Sequence, residues 1–260
     1  MTRLTTLTTL AAALIAVTAL STQANPITVT ITTADGEGAD TYAFGDSRFA
    51  DDGVNNTTVL GDLLQFTAST AANNDGRRKP YLRFDLSSLP ANAVVTSAEF
   101  RITGNFFNTN SAPGIFYGLN DGASGDETVA NGGWGESTSD PNTLTWDNAP
   151  GNDTSGDGFI TANLTSLGTG TLQQRANGPT TLSNASLVNF LNADTNDRVT
   201  IMLNRTDNAG GSTDIAFYPK EAAGETGFEA PSLEITYIPE PGSLSLLAVS
   251  GGVMLLRRRR

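Results

Sequence analysis

Apolar and polar residues alternate along short segments of the central part of the chain. Residues 27–33 read ITVTITT and residues 79–86 read KPYLRFDL. A period of two places successive side chains on opposite faces of a β-strand, so each segment predicts a half-buried strand. Weaker patterns predict further strands at residues 41–44, 59–68, 94–103, 115–119, 159–164, 199–204, 215–218 and 233–238.

The clearest two strands, residues 79–86 and 94–103, are separated by a short turn. This spacing predicts that they are antiparallel neighbours in one half-buried sheet. Lys79 and Arg83 alternate with the apolar positions, so they are predicted to face outward. The apolar residues of the first segment share the inner face: Leu82, Phe84 and Leu86.

Only residues 184–192, NASLVNFLN, have the spacing of a helix. Ser183 is the predicted N-cap, and Leu187, Phe190 and Leu191 form the predicted inner face. The chain shows no internal repeat of fixed period. Ten or so short strands joined by Gly-, Asn- and Asp-rich turns, with at most one short helix, predict an all-β sandwich of two antiparallel sheets.

Residues 1–24 have the pattern of a signal peptide. Arg3 is followed by an apolar core at residues 10–20, and the small residues Thr22 and Ala24 predict cleavage after Ala24. An uncleaved N-terminal anchor is the alternative.

Residues 239–260 combine a stiff motif, an apolar run at 242–256 and a basic end. The apolar run can enter a bilayer, whereas the arginines hold the end on the cytoplasmic side. Fifteen residues are fewer than the roughly 20 that a stable span needs, which favours a transient segment over a permanent anchor. The motif is Pro239, Glu240 and Pro241, and the basic end is Arg257, Arg258, Arg259 and Arg260.

This order of parts resembles the PEP-CTERM sorting signal. The resemblance implies that an exosortase-type sorting protease recognises the tail, which inserts transiently in the inner membrane, and removes it. It also implies secretion or cell-surface delivery in a Gram-negative-type or planctomycete-like bacterium. A plain C-terminal anchor is the alternative.

Charge and composition exclude several classes of function. Without Arg3 and the terminal arginines, residues 25–240 hold 10 basic and 27 acidic residues, a formal charge of −17. Such a surface repels phosphate backbones, so no nucleic-acid partner is expected. The chain has no Cys and no His, which excludes disulfides, Ser-His-Asp catalysis and imidazole metal sites.

Four blocks together resemble the DNRLRE family, which overlaps carbohydrate-binding module family 96. The resemblance implies a jelly-roll β-sandwich over residues 25–238, a non-catalytic role and binding of an extracellular polysaccharide of the alginate type. The blocks are ADTY at 39–42, RKPYLRFDLSSLP at 78–90, WGE at 134–136 with LTWDNAP at 144–150, and FYPKEA at 217–222 with PSLEITY at 231–237.

Exposed aromatic rings stack on sugars and arginine pairs with uronate carboxylates, which defines the candidate ligand residues. They are Trp134, Lys79, Arg83, Arg101 and Lys220. Trp146 is more simply a buried structural residue, and the same alternative stays open for Trp134. Arg83 and Arg101 have another alternative, which is cross-strand pairing with Glu99 and Asp85.

Loop acids are candidate ligands for a structural Ca²⁺, since this ion prefers oxygen donors. They are Asp40, Asp46, Asp51 and Asp52, with Glu221 near the end of the domain. Solvated loop acids are the alternative. No spacing selects a catalytic pair among Glu99, Glu136 and Glu221, so we expect no enzyme activity.

The sequence therefore predicts an exported, exosortase-sorted protein of the cell surface or extracellular matrix that binds polysaccharide without catalysis. One alternative is a structural or self-assembling surface protein with no specific glycan ligand. A polysaccharide hydrolase or lyase is a third, and it would need paired carboxylates in a groove.

Overall fold

The fold is mostly β, as the alternating pattern predicts. A computed structural model describes residues 25–45, 64–66, 77–107, 111–122, 144–205, 215–223 and 228–239. Within these residues the strands are β1 Ile27–Thr32, β2 Ala39–Gly45, β3 Leu64–Phe66, β4 Arg77–Asp85, β5 Val94–Ile102, β6 Gly104–Phe107, β7 Ser111–Leu119, β8 Leu164–Gln173, β9 Thr180–Leu182, β10 Arg198–Arg205, β11 Ile215–Phe217 and β12 Ser232–Ile238, and the helix is α1 Ala185–Ala193.

Two antiparallel sheets form a sandwich. The first sheet has the strand order β1-β12-β5-β9 and the second has β2-β4-β10-β7-β8. A small sheet of order β3-β11-β6 accompanies them. The main core lies between the two large sheets, because apolar side chains from both belong to one buried cluster.

Aromatic side chains join the two sheets at the centre of the main core. The rings of Phe84 on β4 and Phe100 on β5 lie 6.2 Å apart, edge to face. Phe100 makes a similar contact, at 5.9 Å, with Phe116 on β7. Such pairs contribute about 0.5–1.5 kcal/mol each beyond the area that they bury.

The prediction that residues 79–86 and 94–103 are neighbours in one sheet is wrong. Strand β4 pairs with β2 and β10, whereas β5 pairs with β12 and β9. The connection after Leu86 carries the chain from one sheet to the other. A period of two shows which side chains face inward, but it does not show which sheet receives them.

The second sheet is buried on both faces. Every residue of β10 from Val199 to Arg205 is buried. On the outer face, a second apolar cluster includes Tyr81, Met202, Trp146 and Phe159. Its last two members come from residues 144–160, which we call the cover segment because they lie over this face.

The helix α1 forms where the 3.6-residue period predicts it, and Leu187, Phe190 and Leu191 are buried as expected. The N-cap is Asn184, whose side chain accepts a hydrogen bond from the Leu187 N–H at 2.9 Å. Ser183, the predicted cap, instead donates to the carbonyl of Ala98.

The helix also closes one edge of the first sheet. The side-chain amide of Asn192 donates to the carbonyl of Val95 and accepts from its N–H, both at 2.9 Å. Asn192 thus replaces a neighbouring strand where β9 does not reach along β5.

None of the helices in the described part of the chain is long and apolar enough to cross a bilayer. The predicted signal peptide at residues 1–24 and the tail from Glu240 onward lie outside the described residues, so both stay predictions.

We expect that Gly118→Ala destabilises the sandwich. A Cβ at Gly118 on β7 would lie 2.5 Å from ring carbons of Phe190, so the buried Phe190 ring or α1 itself must shift. Overpacking of this kind costs about 1–3 kcal/mol in the free energy of unfolding, which urea denaturation measures. The control is Gly158→Ala, since its Cβ would meet nothing within 4 Å. An equal loss in both variants would contradict this account of the α1 contact.

Candidate functional site

Lys79 leaves the second sheet on its outer face, as predicted, but it is not at the surface. Its side chain is 1% exposed because the cover segment lies over it. The ammonium group donates to four oxygen atoms. They are Asn152 Oδ1 at 2.6 Å and the carbonyls of Asp153 at 2.9 Å, Gly156 at 2.8 Å and Gly158 at 2.5 Å.

Aromatic rings complete the surroundings of this ammonium group. Its nitrogen lies 4.5 Å from the ring centroid of Trp146 and 5.4 Å from that of Phe159. Asn152 also donates to the Trp146 carbonyl at 2.6 Å. The cover segment thus surrounds the ammonium group of Lys79 with oxygen acceptors and aromatic rings. Lys79 is therefore a structural residue and not a ligand-binding one.

Arg83 is also removed from the surface, which corrects its predicted role. It is 8% exposed, and its Nε donates to the carbonyl of Glu37 at 2.8 Å. The carboxylate of Glu37 in turn pairs with Arg198. The alternative pairing of Arg83 with Glu99 is wrong too, because their strands lie in different sheets.

Asp85 holds the same turn between β1 and β2. Its Oδ2 accepts from the Glu37 N–H at 2.7 Å, and its Oδ1 accepts from the Ser87 N–H at 2.9 Å. Burial by itself would raise the pKa of Asp85. The hydrogen bonds from Ser87 and Glu37, with the charge of Arg198, outweigh burial and hold that pKa below its ordinary value.

The predicted calcium ligand Asp40 is fully buried and is occupied by protein donors. Its Oδ2 accepts from the hydroxyl of Thr33 at 2.5 Å and from the N–H of Lys220 at 2.9 Å. Among the described residues, no group of three or more acids could hold a metal ion. Asp46, Asp51 and Asp52 lie outside the described residues.

The remaining candidate residues lie apart from one another. Arg101 is exposed and donates to Glu99 at 2.5 Å, and this hydrogen bond, with the charge of Glu99, raises the pKa of Arg101. Lys220 is partly buried and donates to the carbonyl of Gly38 at 3.2 Å. Trp134 lies outside the described residues, and Trp146 is 1% exposed, in agreement with the structural alternative. The described members of the predicted set therefore form no common surface.

The structure does contain a pocket that the sequence reading missed. It has a volume of about 420 Å³ and lies beside the C-terminal half of α1, next to the ends of β7 and β10. Polar side chains from three elements meet there on an apolar floor. The lining residues are Asn120, Asp121, Thr165, Asn189, Phe190, Ala193, Asp194 and Val199.

Two carboxylates give this pocket its electrostatic character. Oδ2 of Asp121 accepts from the N–H and the hydroxyl of Thr195, both at 2.6 Å, and Oδ2 of Asp194 accepts from the Asp197 N–H at 3.0 Å. Oδ1 of Asp194 is buried, and it has no hydrogen-bond partner among the described residues. Burial, and then the nearby charge of Asp121, raise the pKa of Asp194 from 3.8 to about 6.

A carboxyl group with a raised pKa beside a second carboxylate in a pocket is a common mark of a functional site. Asp121 and Asp194 are far apart along the chain, and each lies in a polar stretch that reads as an ordinary turn. Only the packing of α1 against the end of β7 brings them together, so no local signal in the sequence could have found the pair.

Comparison with protein-family models finds no model that matches the chain. Comparison with curated proteins finds no match either.

We expect that Lys79→Met costs about 3 kcal/mol or more in the free energy of unfolding. The methionine leaves four oxygens of the cover segment without their shared donor, and buried acceptors that lose a donor are costly. Urea denaturation in a Trp134→Phe background, read by Trp146 fluorescence, measures the loss. Lys220→Met is the matched control and should cost about 1 kcal/mol, because this ammonium group is only partly buried and its hydrogen bond to the Gly38 carbonyl is long, at 3.2 Å. Equal losses in the two variants would show that the four hydrogen bonds of Lys79 add nothing to stability.

We expect that Asp194→Asn stabilises the protein at pH 7–8. The pKa of Asp194 is higher in the folded chain than in the unfolded one, so its contribution to stability is complete below about pH 4 and is lost as the pH rises through 6. The difference in melting temperature between variant and wild type should therefore grow from pH 4 to pH 7. An Asp194→Asn variant that is less stable than the wild type at pH 7 would contradict this prediction.

Proposed function

We propose that this protein is exported, sorted by an exosortase-type protease and retained at the cell surface or in the extracellular matrix, where it binds polysaccharide without catalysis. Two features of the sequence support export. They are the leader-like pattern of residues 1–24 and the order of motif, apolar run and arginines in residues 239–260.

We also propose that the sandwich is a jelly roll, and the order of pairing supports this. Strand β1 pairs with β12, β4 with β10, β5 with β9, and β7 with β8. The four pairs nest inside one another along the chain and alternate between the two sheets. An antiparallel ribbon that is folded over on itself has this arrangement, with β2 added at an edge.

The pocket beside α1 is the observation that carries the glycan proposal. Its volume of about 420 Å³ suits one or two sugar rings. Asn189 and Asp121 offer amide and carboxylate groups to sugar hydroxyls, while Phe190 and Val199 supply apolar surface. The resemblance to carbohydrate-binding module family 96 gives the same ligand class.

The charge of the pocket selects among glycans. Asp121 and Asp194 make it anionic, so a uronate polymer such as alginate would be repelled unless a cation lay between the two. A neutral polysaccharide meets no such barrier. We therefore propose a neutral glycan as the preferred ligand, in place of the alginate-type ligand that the family resemblance implies.

We propose a non-catalytic domain because the turn after α1 holds both carboxylates in place through their Oδ2 atoms. Oδ2 of Asp121 accepts from Thr195, and Oδ2 of Asp194 accepts from the Asp197 N–H. A general acid or a nucleophile has to reach the glycosidic bond, and these hydrogen bonds hold the two groups against the turn.

Affinity gels test this proposal. We expect a neutral β-glucan or galactomannan, or the organism's own exopolysaccharide, to retard the protein without added metal. Alginate and pectate should retard it only with millimolar Ca²⁺. Asn189→Trp should abolish retardation because the indole fills the pocket, whereas Ser186→Trp, an exposed position on the same helix, should not.

Retardation that is equal in wild type and Asn189→Trp would place the glycan elsewhere on the domain. No retardation by any of these polymers, with or without Ca²⁺, would overturn the glycan proposal and favour the structural alternative.

A further inference from the structure

Strand β1 forms an edge of the first sheet. Its neighbour is β12, and the structure describes no strand on its other side. The Thr33 N–H donates to the Pro231 carbonyl, which continues the register of β1 with β12. The backbone N–H and C=O groups of the odd-numbered residues of β1 therefore form hydrogen bonds with β12. In an antiparallel pair, the backbone groups of the alternate residues then point away from the sheet. Here these are the N–H and C=O groups of Thr28, Thr30 and Thr32.

The open part of this edge is bounded at both ends. Thr32 is closed by the following turn, because its N–H donates to Asp35 Oδ2 at 2.7 Å and its carbonyl accepts from the Asp35 N–H at 3.1 Å. Pro26 has no N–H to offer. The outward groups of Thr28 and Thr30 remain, and they find no partner in the described part of the chain.

Edge strands of monomeric proteins usually carry a charge, a proline or a bulge that prevents pairing. β1 has none of these within its length, and its register with β12 runs without a shift. The other side of the same sheet is treated differently. There Asn192 occupies both backbone groups of Val95, and Ser183 occupies the carbonyl of Ala98.

The lack of charge along β1 favours a second copy of this chain as the partner of this edge. Residues 25–240 carry a formal charge of −17, so two copies repel each other over most of their surface. Residues 25–34 contain no charged residue. Glu234 pairs with Thr30 one strand inward, so it and its copy would lie roughly 14 Å apart across two joined edges, beyond the screening length of about 8 Å.

We propose that two copies of this chain pair antiparallel through β1, with a two-fold axis at Val29. Thr28 of one copy then lies opposite Thr30 of the other, and their outward groups form four hydrogen bonds. Ile27, which is 44% exposed in the single chain, lies beside Ile31 of the second copy. The pairing is isologous and closes after two copies, so it gives a dimer and not a fibre.

The proposed dimer does not depend on glycan binding. If the pocket binds a glycan, the dimer presents two pockets to one polymer and binds it with increased avidity.

Sedimentation velocity of the full chain tests the dimer, in a mild non-ionic detergent that disperses the apolar residues 10–20 and 242–256. We expect a concentration-dependent dimer. Thr30→Pro removes one outward N–H per copy and leaves the bonds to β12, so it should raise the dissociation constant about tenfold or more. Thr30→Val keeps the N–H and the β-branched shape, and it should dimerise like the wild type.

A single cysteine tests the register and covers the case in which Thr30→Pro does not fold. The chain has no Cys, so Val29→Cys on the axis should form a disulfide with its own copy under mild oxidation, as antiparallel non-hydrogen-bonded neighbours lie about 4.5 Å apart. Thr96→Cys, exposed on β5, should not. A monomer at all concentrations, a dimer that Thr30→Pro leaves unchanged, or equal cross-linking at both positions would overturn the proposal.

Discussion

The covering of the second sheet depends on the hydrogen bonds between the ammonium group of Lys79 and the oxygen atoms of residues 152–158. A buried charge is costly unless it is fully hydrogen-bonded. Here the partner oxygens come from a segment that has one isolated bridge and no regular strand before Leu164. The buried charge of Lys79 therefore fixes a loop that has little secondary structure. The chain has no cysteine, so no disulfide can fix this loop instead.

The position of the cover segment closes the outer face of the second sheet. Because the cover segment lies on the outer face of the second sheet, Lys79 and Trp146 are buried. That face is therefore not open to a ligand. The pocket proposed to bind the glycan lies at the C-terminal end of α1. There the packing of Phe190 on Gly118 fixes the helix, and the helix in turn brings Asp194 beside Asp121. The proposed binding pocket and the covered face thus depend on different charged groups, Asp121 and Asp194 in the first and Lys79 in the second.

The sequence predicted the elements better than their arrangement. β12 was predictable because one face is buried and the other is not, and α1 because its apolar residues recur at helical spacing. β4 was predictable because charged and apolar residues alternate in it, although both of its faces are buried. β8 and β9 were missed, since their threonines and glycines give little contrast between faces. The sheet membership of β5 and the burial of Lys79 were not predictable, because both depend on contacts with residues far along the chain. The Asp121–Asp194 pair was missed for the same reason.

The antiparallel pairing of β1 with β12 has a mechanical consequence. Ile27 lies opposite Tyr237, so the two ends of the domain leave the sheet side by side. A pull between these ends would load the hydrogen bonds of that pair one at a time, starting at Ile27, and would separate the strands at low force. A pull between one end and a distant point of the sandwich would load many bonds together. The resistance of this domain to tension therefore depends on where it is held.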